Sequence, residues 1–158
     1  MRKIGVIFCL FCLLLTACLS EAPQANLDSA ETALADFFQA LSDGAYGKAA
    51  ALYGGSYDGL QSLNPSLSPD EHAALWQYGC ALNGYQCLPL LRVVSRQRLS
   101  ENEFLFTIEF RGKDGKAFVF GPCCGASTED MPPVSRFDYH VTFRGGDYFV
   151  QDEPVFVP

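Results

Sequence analysis

The chain has 158 residues, 49% of them hydrophobic and 13% aromatic, and a formal net charge of −7. That length suits one domain with a sizeable core. With 18 acidic residues against 11 basic ones, it is a poor match for nucleic acid or an anionic lipid surface, and neither is expected as a direct partner.

Arg2 and Lys3 precede an apolar run from Ile4 to Leu15. The run is too short to cross a bilayer as a stable helix, and its basic start fits an export signal. It ends in Leu15-Thr16-Ala17-Cys18, which resembles the lipobox of bacterial lipoproteins: Leu, a small residue, Ala or Gly, then Cys. The resemblance implies that residues 1–17 are a signal peptide and that the Cys18 thiol receives a diacylglyceryl group. The new amino terminus would then be open to acylation. Two or three chains, at about 0.8 kcal/mol per buried CH₂, anchor a protein stably, whereas one is marginal. Leu19 in place of Asp after the cysteine implies an outer-membrane destination in a didermic cell. With a single membrane, the anchor would sit on the outer face of the cytoplasmic membrane. After processing, nine bases face 18 acids, a net charge of −9.

The seven cysteines divide accordingly. Cys9 and Cys12 leave with the signal and Cys18 is the lipid attachment point. Cys80, Cys87, Cys123 and Cys124 remain in an oxidising compartment, where an even count reads as two disulfides. Six residues separate Cys80 from Cys87 and none separates Cys123 from Cys124, so the short knuckle spacing of zinc sites is absent. Three connectivities are possible. A vicinal bond strains the intervening peptide, so Cys123 and Cys124 are expected to reach across to Cys80 and Cys87.

Residues 18–27 read as a lipidated tether; as a flexible coil it spans about 17 Å. The remaining segment, 28–158, reads as a single domain. A first helix is expected from Asp28, which forms a capping box with Glu31, and its apolar stripe is Leu34, Phe37, Phe38 and Leu41. A second helix follows over about Tyr46–Tyr53, stopped by Gly54-Gly55. Leu60, Leu63 and Leu67 offer a short turn to the core. Ser68-Pro69-Asp70-Glu71 signals a third helix with Leu75, Trp76 and Cys80 on its buried side, ended by Asn83-Gly84.

After Pro89 the apolar period becomes two. Leu91, Val93 and Leu99 alternate with Arg92, Arg96 and Arg98. Phe104, Phe106, Ile108 and Phe110 then alternate with polar neighbours, and a turn at Lys113-Asp114-Gly115 leads to a strand at Ala117–Phe120. Phe137, Tyr139, Val141 and Phe143 form a further strand, and Gly145-Gly146 turns the chain into Tyr148–Asp152. Helices followed by hairpin-linked strands give an α+β fold, N-terminal helices packed on one face of a curved antiparallel sheet of four to five strands. The order of elements, and the stretch from Phe37 to Ala50, resemble small bacterial lipoproteins of the nuclear-transport-factor-like, cystatin-like superfamily. The resemblance covers roughly residues 28–153 and implies a sheet wrapped round a long helix, leaving a cone-shaped cavity.

Enzymes of that superfamily keep acids and histidines inside the cone. Here the helix-facing strand positions hold no ionisable group except the Tyr139 phenol. Glu109, Asp138 and His140 point outward, where little perturbation of their proton affinities is expected. No catalytic residue, cofactor or metal site is therefore expected. Asp138 and His140 lie two apart on one strand but lack a third ligand, and His72 reads as a surface residue. Two binding features remain. Tyr46, Tyr53, Tyr57, Trp76 and Tyr139 are candidates to line a cavity for a small apolar ligand. Arg92, Arg96, Arg98, Arg111, Arg136 and Arg144 all fall on the strand parity facing away from the helices, a candidate face for an acidic envelope partner, or else a ladder of pairs with Glu103, Glu109 and Asp138. The sequence thus points to a membrane-anchored envelope lipoprotein acting as a non-enzymatic binding or structural module, or alternatively as a carrier of a small apolar ligand.

Overall fold

A computed structural model describes residues 24–122 and 125–158; the lipobox, Cys123 and Cys124 lie outside the described residues. Four helices precede four strands: α1 (Leu27–Ser42), α2 (Tyr46–Leu52), α3 (Asp58–Leu63), α4 (His72–Ala81), β1 (Leu90–Arg98), β2 (Glu103–Phe110), β3 (Phe137–Arg144) and β4 (Asp147–Val150). The strands form one antiparallel sheet in the order β1-β2-β3-β4. This is the expected α+β arrangement. α1 lies across the helix-facing side and touches all four strands.

The α1 stripe behaves as its period requires. Leu34, Phe37, Phe38 and Leu41 are buried against Phe104, Phe106, Ile108, Phe110 and Val141 from the sheet. Its cap is not the expected one. Asn26, in an extended conformation, accepts the Ser29 N–H on its side-chain oxygen at 2.8 Å, and the helix starts at Leu27. Asp28 and Glu31 are thereby left for other partners. At the far end Gly44 sits at φ 72° while its N–H meets Leu41 O and Ala45 N–H meets Ala40 O, a glycine-ended Schellman closure.

The segment after α2 closes into the short α3, which buries Leu60 but leaves Leu63 exposed. Before α4, Glu71 reaches back to the Ser68 N–H at 2.9 Å, so half of the expected capping box forms, as a turn preceding the helix. At Ala117–Phe120 only isolated bridges occur, Arg111 to Ala117 and Phe120 to Val134, so this stretch is not a strand and the sheet stops at four. Gly145 and Gly146, at φ 66° and 98°, make the two-residue turn between β3 and β4, which both residues' positive φ requires.

Candidate functional site

Three of the five aromatic candidates meet at the junction of α2, α3 and α4. Trp76 is fully buried, with Tyr53 edge-on at 5.0 Å and Phe37 edge-on at 5.6 Å between ring centroids. The Trp76 Nε1–H donates to the Tyr57 hydroxyl at 3.2 Å. Tyr57 stacks on His72 at 4.0 Å with only 4° between the planes, so His72 is half-buried as a cover on that ring rather than a free surface residue. Tyr139 lies apart, edge-on to Phe38 and Phe110, and Tyr46 packs part-buried at the start of α2. These rings pack on one another, which gives the core its rigidity.

Sequence reasoning missed Tyr85 and Glu153 in this cluster. The Tyr85 hydroxyl donates to Glu153 Oε2 at 2.5 Å, and Gly59 lies so close that a Cβ there would stand 2.9 Å from the same carboxylate. Burial, reinforced by Glu153, pushes the Tyr53 and Tyr85 phenols well above their ordinary range. Burial does the same to Tyr139, with Asp152 adding to it and a backbone hydrogen bond from Val155 opposing it. Neither Tyr85 nor Glu153 sits in a periodic segment. The one sequence signal was an aromatic residue placed between two cysteines.

Cys80 and Cys87 are bonded to each other, with their Cα atoms 5.5 Å apart. This corrects the expectation that each reaches across to Cys123 or Cys124, which lie outside the described residues. The turn at Asn83-Gly84 brings the chain straight back to the end of α4, within bonding range of Cys80. The closed loop grips the C-terminal tail: Val157 N–H donates to Gly84 O at 3.0 Å and Gln86 N–H to Val155 O at 2.8 Å.

The arginine face divides in two. β1 pairs Arg92 with Glu109 and Val93 with Ile108, then skips Val94 and pairs Ser95 with Thr107 and Arg96 with Phe106. The extra residue at Val94 is a β-bulge, and it exchanges the two faces for the rest of the strand. Arg96 and Arg98 therefore lie on the helix side, opposite Phe106 and Phe104, and not on the outer face. Arg96 Nη1 bonds Asp28 at 2.6 Å and Glu31 at 3.2 Å. Arg98 bonds the Ala25 carbonyl and lies over the Phe104 ring. Arg144 lies over the Phe149 ring, and Arg111 is exposed beyond β2.

On the outer face Glu109 is only 4% exposed. It is covered by a thin layer of arginine: Arg92 donates from Nε to Oε2 at 2.8 Å and from Nη2 to Oε1 at 3.1 Å, and Arg136 Nε stands 3.5 Å from Oε1. Hydrogen bonding from Arg92 first, and then from Arg136, holds the Glu109 carboxyl below its usual value against the opposing effect of desolvation. The expectation of a little-perturbed group fails here because the strand register converges two guanidiniums on one carboxylate. Asp138 accepts from Thr107 Oγ1 at 2.6 Å, and no described ion pair involves Asp138 or Glu103. His140 Nδ1 lies 3.1 Å from Asp152 Oδ2, the same oxygen that accepts the His140 backbone N–H at 2.5 Å. Among the described residues no three potential metal ligands cluster.

The chain enters α1 under restraint. Asn26 N–H donates to the Tyr148 hydroxyl at 2.7 Å while Arg98 holds the Ala25 carbonyl, so the last residues before the helix are pinned to one end of the sheet. Among the described residues no helix is long and apolar enough to cross a membrane. In comparisons with known proteins, no family model and no curated sequence matches the chain.

Proposed function

We propose that the protein is a lipid-tethered, non-enzymatic binding or structural module of a bacterial envelope, built on a cone-like cystatin or nuclear-transport-factor scaffold and anchored through Cys18. One observation carries the non-enzymatic part. Among the described residues Asn64 and Glu109 are the buried polar residues and both are satisfied, and the one buried polar side-chain atom without a partner, Gln61 Oε1, belongs to a neutral amide. Asn64 donates to Leu60 O and to Asn83 Oδ1, and Glu109 is neutralised on the outer face by two arginines. A proton-transfer catalyst needs a desolvated ionisable group facing a cavity, and the helix side of the sheet offers packed phenylalanines, the Tyr139 phenol and two exposed arginines, Arg96 and Arg98, already engaged by α1 and the chain before it. The restrained start of α1 supports the tether, because it fixes where the chain leading from Cys18 meets the domain. Native mass spectrometry of the protein purified from its own membrane tests the reading. A lipid-bearing chain with no retained small molecule is expected. A stoichiometric apolar ligand would replace this reading with a carrier function.

A further inference from the structure

Five of the nine bases beyond residue 17 of this acidic protein gather at one corner. Residues 27–88 hold one, Lys48, against seven acids. Arg92, Arg111 and Arg136 share the outer-face parity at the ends of three adjacent strands, and Lys113 and Lys116 follow in the turn beyond β2. Glu109, Asp114 and Asp138 are acids of the same strands and turn, Glu129 and Asp130 follow in the loop before Arg136, and the Asp138 carboxylate is engaged by Thr107 and the Asp130 carboxylate by Ser127.

Within this corner the Arg92–Glu109–Arg136 row has an unusual division of exposure. The Glu109 side chain is 6% exposed, while each arginine side chain is 63% exposed. Arg92 spends Nε and Nη2 on Glu109, and Arg136 spends Nε. Arg92 Nη1 and the two terminal nitrogens of Arg136 are not hydrogen-bonded to any other described residue. Neighbouring strands lie about 4.8 Å apart, so the two arginines start about 10 Å apart and lean together over the glutamate. A buried carboxylate that orients two guanidiniums while leaving their outer edges free is a pre-organised receptor for a multidentate oxyanion.

We propose that Arg92 and Arg136, held by Glu109, form a binding site for a phosphate group carried by a soluble or polymer-borne ester. A lipid headgroup is the other source of this chemistry, and geometry disfavours it. The tether enters beside Arg98, and Arg92 lies six residues back along β1, about 20 Å toward the opposite end of the sheet. This choice of source rests on the tethered reading; the site itself does not.

The test is calorimetric titration of inorganic phosphate into the full-length protein in neutral maltoside micelles. Saturable binding at one site is expected. Arg92→Gln and Arg136→Gln should each weaken it about tenfold. Arg92→Lys should weaken it too, because it keeps the charge but loses the fork. Arg144→Gln removes the same charge at the other end of the sheet and should leave the affinity unchanged. No saturable binding, or an equal loss in Arg144→Gln, overturns the site. Doping the micelles with phosphatidylglycerol should not compete; competition overturns the ester assignment in favour of a headgroup. Failure of the tether would show in membrane fractionation while phosphate binding persisted, so the two failures are distinguishable.

Discussion

Arg96 lies opposite Phe106 on the helix side of the sheet and reaches Asp28 in the first turn of α1 at 2.6 Å. The bulge at Val94 puts it there, and the pair ties the start of α1 to the β1 edge. Deleting Val94 should remove the bulge and let Ser95 follow Val93 in regular alternation, with Arg96 still opposite Phe106 and still paired with Asp28. Arg96→Ala, which removes only a solvent-exposed pair, should lower Tm slightly and lose that effect at high salt. The same small, salt-sensitive loss is expected when Arg96→Ala is made in the Val94 deletion. Its disappearance there would contradict this register.

Gly79 and Gly47 are both helical glycines, and substitution by alanine should have opposite signs. A Cβ on Gly79 would stand 2.5 Å from Leu60 Cδ2 and 3.3 Å from Tyr85 Cδ2, while one on Gly47 meets nothing within 4 Å. Gly79→Ala should destabilise by about 1–3 kcal/mol through overpacking between α3 and α4. Gly47→Ala should stabilise by up to about 1 kcal/mol through helix propensity. Urea denaturation of the two variants decides both signs.

Cys80 and Cys87 are seven residues apart. Closing so short a loop restricts the unfolded chain by about 2–3 kcal/mol on the chain-entropy account. Cys80→Ala and Cys87→Ala should each cost that much. Faster amide exchange at Gln86 and Val157 is expected, since both donate across the junction of loop and tail. Unchanged exchange there would separate the disulfide from the tail.

Much of this fold was legible in the sequence. The 3.6-residue stripe of α1 and the period of two in β2 bury the apolar positions they predict, and β3 buries Tyr139 and Val141 while Phe137 and Phe143 at its ends stay half-buried. β1 was misread because its register shifts twice, between Leu90 and Arg92 and between Val93 and Ser95, at Leu90-Leu91 and Val93-Val94, where two adjacent apolar residues fit either face and no glycine marks the irregularity. The cap of α1 was misplaced by one feature: Asp28-x-x-Glu31 matches a capping box, but Arg96 claims both carboxylates and Asn26 does the capping. Of the candidate site, the aromatic residue types were visible. A ladder of arginines with Glu109 was among the expectations, but which two arginines reach it depended on register across three strands, which spacing along one strand does not encode.

Glu109 gives a pH dependence with a definite sign. Its carboxyl is held below the usual value of 4.5 by Arg92 and Arg136 in the folded state, so the unfolded chain takes up the proton first as pH falls. The stability it contributes is present above about pH 4.5 and is lost as pH drops through the folded value. Glu109→Gln should therefore have a lower Tm than the parent at neutral pH, with the gap closing in acid. A gap independent of pH would mean that Glu109 acts by packing alone.

The proposed lipid anchor at Cys18 is the premise for export, for oxidised cysteines and for work beside a bilayer. Peptide-level mass spectrometry of the membrane fraction tests it most directly. The account predicts a mature chain that begins at Cys18 and carries a diacylglyceryl mass, with residues 1–17 gone. A chain whose Cys18 bears an unmodified thiol would contradict it.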